Sequence, residues 1–268
     1  MLIRTLMVSS ILIFTAFTAY SQAGPNLQCV TDGLVSFWTF DESDIDGDIA
    51  QDIWGGKGAT LKGDAKIKPG GKIDDGLELG EGRFAEVLSD PVFDFGVGDY
   101  TIEAWVKIVE VDRNPLVFRG QWGSPAYAYE LTLRKGNPYN GCYGRMYAVQ
   151  PMYQVLSPNA DKTGYLSDNS WHHIAFVRSS TSYMYIDGEV VGSTTTLADL
   201  EASSDQNLLI GTDPDPNWFN GMIDELRIYS KALSETEIEH NFKLESNELS
   251  VDPIDKMSVT WGGMKDLY

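Results

Sequence analysis

From residue 34 to residue 229 the chain is a succession of short apolar runs, each cut off by glycine, proline, asparagine or aspartate. Residues 100–109 carry the clearest pattern. Ile102, Ala104, Val106 and Ile108 alternate there with Thr101, Glu103, Trp105 and Lys107. A period of two sends the first set to one face of a strand and the second to the other. Residues 127–133 behave in the same way, with Tyr127, Tyr129, Leu131 and Leu133 against Ala128, Glu130 and Thr132. Further runs fall at 34–40, 76–79, 84–88, 145–150, 153–156, 171–178, 182–186, 189–192, 208–211 and 222–229. Asp187-Gly188 separates two of them and is the dipeptide that a type I′ turn favours, which predicts a hairpin. Many short strands with almost no helical period predict an all-β fold, a two-sheet antiparallel β-sandwich of jelly-roll type. One short helix is expected from residue 235 to about 242, because Ser234-Glu235-Thr236-Glu237 is a capping box flanked by Leu233 and Ile238 at the staple positions.

The segments outside this pattern read differently. Residues 1–23 carry Arg4, an apolar stretch from 6 to 20, and Ser21-Gln22-Ala23, with small residues at the −3 and −1 positions of a cleavage site. That is the layout of a secretory signal peptide, and the apolar stretch is too short to span a bilayer comfortably. Residues 24–32 form an N-terminal segment, 33–242 one sandwich domain, and 243–268 a C-terminal tail without a sustained period. The expected location is outside the cell or in the periplasm, with no membrane span after cleavage. In such a compartment the two cysteines, Cys29 and Cys142, are expected to form a disulfide. The chain has 39 acidic and 20 basic residues, a net charge of −19, and no basic run. A nucleic-acid partner is thereby disfavoured, since it needs clustered cations, while a bound divalent cation gains plausibility.

Several runs resemble, in order, the LamG-like family of concanavalin A-like jelly-roll domains. They are Phe37-Trp38-Thr39-Phe40-Asp41-Glu42, Gln51-Asp52-Ile53-Trp54-Gly55-Gly56, and Tyr100-Thr101-Ile102-Glu103-Ala104-Trp105-Val106-Lys107. Trp171-His172-His173-Ile174-Ala175-Phe176-Val177-Arg178, Tyr185-Ile186-Asp187-Gly188 and Phe219-Asn220-Gly221-Met222-Ile223-Asp224-Glu225-Leu226-Arg227-Ile228-Tyr229 complete the series. The resemblance implies two packed antiparallel sheets, and it leaves function open, because this fold hosts lectins, adhesion modules and glycosidases. It also implies a calcium ion held between the opening Asp loop and the late Ile-Asp-Glu strand, which places the candidate ligands at Asp41, Asp52 and Asp224. A second acidic stretch, residues 41–48, lacks the glycine and glutamate positions of a calcium loop and reads as a solvated loop.

Catalytic signatures are missing. A retaining glycosidase on this fold needs two carboxylates about 5 Å apart on one strand face. Asp224-Glu225 comes nearest, and adjacent strand residues point to opposite faces. His172 and His173 are adjacent for the same reason and are expected to be structural. The predicted function is a secreted, non-catalytic recognition module for a glycan or an extracellular or cell-surface protein. The alternatives are an adhesion or packing module without a small ligand and a degenerate glycosidase. Trp122 and Trp218, set among Gly, Pro and Asn, are the candidate ligand-binding aromatics.

Overall fold

Two antiparallel sheets stack face to face in a computed structural model of the chain, which describes residues 28–109, 113–121, 128–134, 141–147, 153–156, 164–215 and 217–246. In chain order the strands begin with β1 (Leu34–Trp38), β2 (Ile45–Asp46), β3 (Ile49–Ala50), β4 (Ala59–Lys62), β5 (Lys66–Pro69) and β6 (Asp75–Leu79). They continue with β7 (Phe84–Val87), β8 (Tyr100–Ile108), β9 (Arg113–Gly120), β10 (Ala128–Arg134), β11 (Gly141–Tyr147) and β12 (Tyr153–Leu156). The last are β13 (Trp171–Arg178), β14 (Ser182–Ile186), β15 (Glu189–Thr194), β16 (Leu208–Ile210) and β17 (Gly221–Tyr229), followed by helix α1 (Glu235–Phe242). One sheet has eight strands in the order β15-β14-β13-β8-β17-β6-β5, with β1 also paired to β17. The other has nine, in the order β12-β11-β10-β9-β16-β7-β4-β3-β2.

The alternation read in the sequence is what glues the sheets together. Ile102, Ala104, Val106 and Ile108 of β8 point between them and meet Leu116, Val117, Leu131 and Leu133 of β9 and β10. All eight side chains are buried, each aliphatic side chain larger than alanine contributing about 1.5–3 kcal/mol. A second apolar layer lies outside the eight-stranded sheet. Cys29, Phe37, Tyr229, Leu233 and Ile238 form it, so α1 and the entry segment cover part of that sheet's outer face. The capping box forms as expected: the Glu237 backbone N–H donates to Ser234 Oγ, and Ser234 N–H donates to the Glu237 carboxylate at 2.8 Å.

Several elements depart from the sequence reading, and β2, β3, β4 and β5 all fall between the runs expected at 34–40 and 76–79. β9 was not foreseen because Pro115 lies inside it, and proline removes a ladder donor. The strand accommodates it where its pairing with β10 slips by one residue, Val117 facing Leu131 and Pro115 facing Thr132. The acidic stretch 41–48 is not wholly loop: it includes β2 and the turn into β3, made at Gly47 with φ of 65°. The strand expected at 145–150 is displaced to Gly141–Tyr147.

Two buried arginines close one end of the sandwich. Arg178 donates to the carbonyls of Gly96, Gly98, Leu197, Ala198 and Leu200. Arg119 donates to the carbonyls of Phe93, Asp90, Ser204 and Gln206 and pairs with Asp94 at 2.6 Å. Together they tie the 90–98 loop to the 197–206 segment.

Candidate functional site

Each of the expected metal ligands accepts hydrogen bonds from backbone amides. Asp52 Oδ1 accepts from the backbone N–H groups of Phe37, Trp54 and Gly55 at 2.9–3.1 Å, and its Oδ2 accepts from Lys57 N–H at 3.0 Å. Four amides thus fill the Asp52 carboxylate and pin the 52–57 loop to β1. Asp224 Oδ2 accepts from Lys72 and Ile73 N–H at 2.7 and 3.0 Å, and Oδ1 from Glu225 N–H at 2.9 Å. Asp41 accepts from Asp75 N–H at 3.0 Å. Asp41 and Asp224 feel each other: burial, Glu225 and Asp41 hold the Asp224 carboxyl above its usual range. Burial lifts Asp41 to about 6, with Asp74, Asp44 and Asp75 adding repulsion. Among the described residues no group of three His, Cys, Asp or Glu side chains is placed to hold a metal ion.

The expected Cys29–Cys142 disulfide is absent. Cys29 is a buried free thiol in the layer outside the eight-stranded sheet, and burial raises its pKa. Cys142 belongs to β11 of the opposite sheet. Stacked sheets lie about 10 Å apart, beyond the roughly 4.4–6.8 Å Cα separation that a disulfide spans. Trp122 lies outside the described residues.

Acidic side chains do meet on this fold, but arginines occupy them. Under α1, Glu103 accepts from Asn241 Nδ2 at 2.7 Å and from the Tyr229 hydroxyl at 3.3 Å. Arg227 lies 3.6 Å from Glu103, donates to Glu225, and stacks over the Phe37 ring at 4.2 Å. His173 sits beside Glu103 at 3.6 Å, walled by Trp105 and Phe242. Glu103, Glu225, Arg227 and His173 are all buried. Burial lifts Glu103 to about 7 and lowers His173 to about 3. His172, one residue away, bonds instead to Asp187 at 2.8 Å and Asp168 at 3.3 Å. In the nine-stranded sheet Glu130 and Asp213 approach Arg113 at 3.8 and 2.6 Å, again as buried carboxylates. Neither cluster presents a pair of solvent-facing acids.

The accessible chemistry gathers at the edge where the β6–β7 turn meets the chain between β16 and β17. Asp213 organises that segment by accepting from Asp215 N–H at 3.0 Å and from the Asn217 side chain at 2.9 Å. Thr212 closes it by donating to Asn217 O and by bridging to Trp218. The turn presents Trp218 against Phe84, ring centroids 6.0 Å apart at 37°, both half-buried. A cavity of about 240 Å3 lies on the outer face of the eight-stranded sheet, lined by Glu78, Arg83, Lys107, Asn169, Asn220 and Met222 among others. Of the sequence candidates among the described residues, Trp218 is the one on this turn. Lys107 and Arg83 carried no signal in the sequence, because strand pairing alone brings them together.

Comparison with known proteins places the architecture. A family model described as the concanavalin A-like lectin/glucanases superfamily matches residues 81–239. No curated protein matches the chain in sequence. Among solved structures, the binding domain of Paraclostridial Mosquitocidal Protein 1 superposes with a TM-score of 0.62 at 19% identity, covering 79% of this chain and 52% of that one. Domain 4 of AbnA, a GH43 extracellular arabinanase from Geobacillus stearothermophilus in complex with arabinotriose, gives 0.57 at 20% identity, covering 79% of this chain and 98% of that one. Trypanosoma rangeli sialidase in complex with the inhibitor DANA gives 0.55 at 19% identity, covering 80% of this chain and 33% of that one. The chain thus spans about half of the mosquitocidal binding domain and a third of the sialidase. At these identities the likeness is one of fold.

Proposed function

The chain belongs to the concanavalin A-like lectin/glucanases superfamily, and we propose that it is an exported, non-catalytic recognition module that binds a saccharide at the Trp218 edge. The observation that carries this reading is the half-buried Trp218–Phe84 pair on a turn braced by Asp213. Aromatic faces stack on the C–H faces of sugar rings, while amides and charges fix hydroxyls, which is the division of labour of a small-molecule cleft. The reading of no catalysis draws on the occupied acids: Arg227 takes Glu103 and Glu225, and Arg113 takes Glu130 and Asp213. The AbnA domain, which this chain covers almost whole, was solved with arabinotriose, and that supports a saccharide over a protein partner. Export follows the signal-like residues 1–23 and agrees with an extracellular ligand. No helix among the described residues is long and apolar enough to cross a membrane.

A glycan array probed with the chain lacking residues 1–23 tests the proposal. Specific binding to one sugar class that Trp218→Ala weakens about tenfold, the size of one aromatic contact, supports it. No binding to any saccharide removes it. Calcium is kept as a proposal for Asp41 and Asp224, where the Asp41 carboxylate adds to the repulsion at Asp224 that a cation would relieve. The melting temperature should rise with calcium in the wild type and not in Asp224→Asn; indifference of the wild type to calcium and chelator removes the ion.

A further inference from the structure

We infer that the cavity lined by Lys107 and Arg83 on the outer face of the eight-stranded sheet is a subsite for the carboxylate of an acidic sugar, an inference that rests on the saccharide reading above. Cations are scarce in a chain of 39 acids and 20 bases, yet sheet register assembles several here. Lys66 of β5 faces Glu78 of β6, Glu78 faces Met222 of β17, Met222 faces Lys107 of β8, and Lys107 faces Trp171 of β13. This row lies on the outer face of the eight-stranded sheet, because Ile67, Leu77, Ile223 and Val106, one residue away on each of the first four strands, point into the core. Arg83 joins from the β6–β7 turn and reaches Glu78 at 3.0 Å. Lys66, Arg83 and Lys107 thus stand against one carboxylate.

Glu78 spends its charge on Arg83. Among the described residues, no carboxylate lies within ion-pairing distance of Lys107, which lines the cavity directly. The remaining wall suits a sugar. Asn169, held exposed with φ of 63°, and Asn220, also exposed, offer amide donors and acceptors for hydroxyls, and Met222 supplies an apolar surface. At about 240 Å3 the cavity falls below the roughly 300–1,000 Å3 of drug-sized sites, which fits one sugar ring. Along the chain, Asn220 and Arg83 lie two residues and one residue from Trp218 and Phe84. A few cations cannot hold a polyphosphate, but one ammonium can select a carboxylate.

The test titrates the chain lacking residues 1–23 with trigalacturonate and with galactotriose, its neutral counterpart. The acidic trisaccharide should bind about tenfold tighter at low salt, and the preference should shrink as salt is added. Lys107→Met should erase the preference while leaving the melting temperature unchanged. Glu78→Gln, which removes the carboxylate of the row, should strengthen the preference. Equal binding of the two sugars, or a preference that survives Lys107→Met, overturns the subsite. If galactotriose binds in a Trp218-dependent way under either of those outcomes, the saccharide reading stands without the subsite; if neither sugar binds and the glycan array is empty, both fall.

Discussion

At the Tyr100 end of β8, Arg178 and Arg119 are buried and their guanidinium donors are filled by backbone carbonyls of the 90–98 and 197–206 segments. At the Lys107 end of the same strand, Lys107 and Arg83 face a cavity, and among the described residues only Arg83 has a carboxylate. The sandwich therefore carries positive charge at both ends, committed to the fold at one and turned outward at the other. A buried guanidinium that satisfies several carbonyls cannot be withdrawn without orphaning them. A half-exposed ammonium without a partner has no such duty, and a ligand can use it.

The largest effect that would break this contrast comes from removing one charge at each end. Arg178→Met should destabilise the chain by at least about 3 kcal/mol, since several buried carbonyls lose their donor. Lys107→Met should change stability by less than about 0.5 kcal/mol. Urea unfolding of the two variants measures both, and comparable losses would erase the distinction.

A smaller effect sharpens it in the middle of the sheet, where charge is buried under α1. Glu103, raised by burial to about 7, keeps its proton in the folded chain after the unfolded chain has lost it. Its contribution to stability therefore declines as pH rises from about 4.3 toward 7. His173, lowered by burial to about 3, stays neutral where the unfolded chain is charged. Its contribution grows as pH rises from about 3 to 6.5. The two slopes oppose each other between about pH 4.5 and 6.5. Relative to wild type, Glu103→Gln should gain stability as pH rises through that window, and His173→Gln should lose it. Urea midpoints at several pH values decide this, and parallel profiles for the two variants would contradict it.

Much of the scaffold was legible from the residues, because alternation such as that of 100–108 and the capping box at Ser234 are local signals that tertiary packing reinforces. β9 was hidden by Pro115, whose cost a slip in register absorbs. The site was far less legible. At Asp52, expected as a metal ligand, the sequence shows the carboxylate but not the four amides that fold around it. The cysteine pair looked like a disulfide because nothing local assigns Cys29 and Cys142 to different layers. Lys66, Arg83 and Lys107 form no basic run, and only the pairing of β5, β6, β17 and β8 sets Lys66 and Lys107 in one row. Trp218 was found because an aromatic among turn-forming residues is visible without the fold.

The central claim is that recognition takes place at the open edge, and tryptophan indole N–H signals report on it residue by residue. Trp38 and Trp54 donate inward, to Lys57 O and Leu34 O at 2.9 Å each, and serve as internal references. During titration of the 15N-labelled chain with trigalacturonate, the Trp218 and Trp171 indole signals should shift together while those of Trp38 and Trp54 stay fixed. Saturable binding that leaves Trp218 and Trp171 unmoved would place the ligand elsewhere and contradict the account.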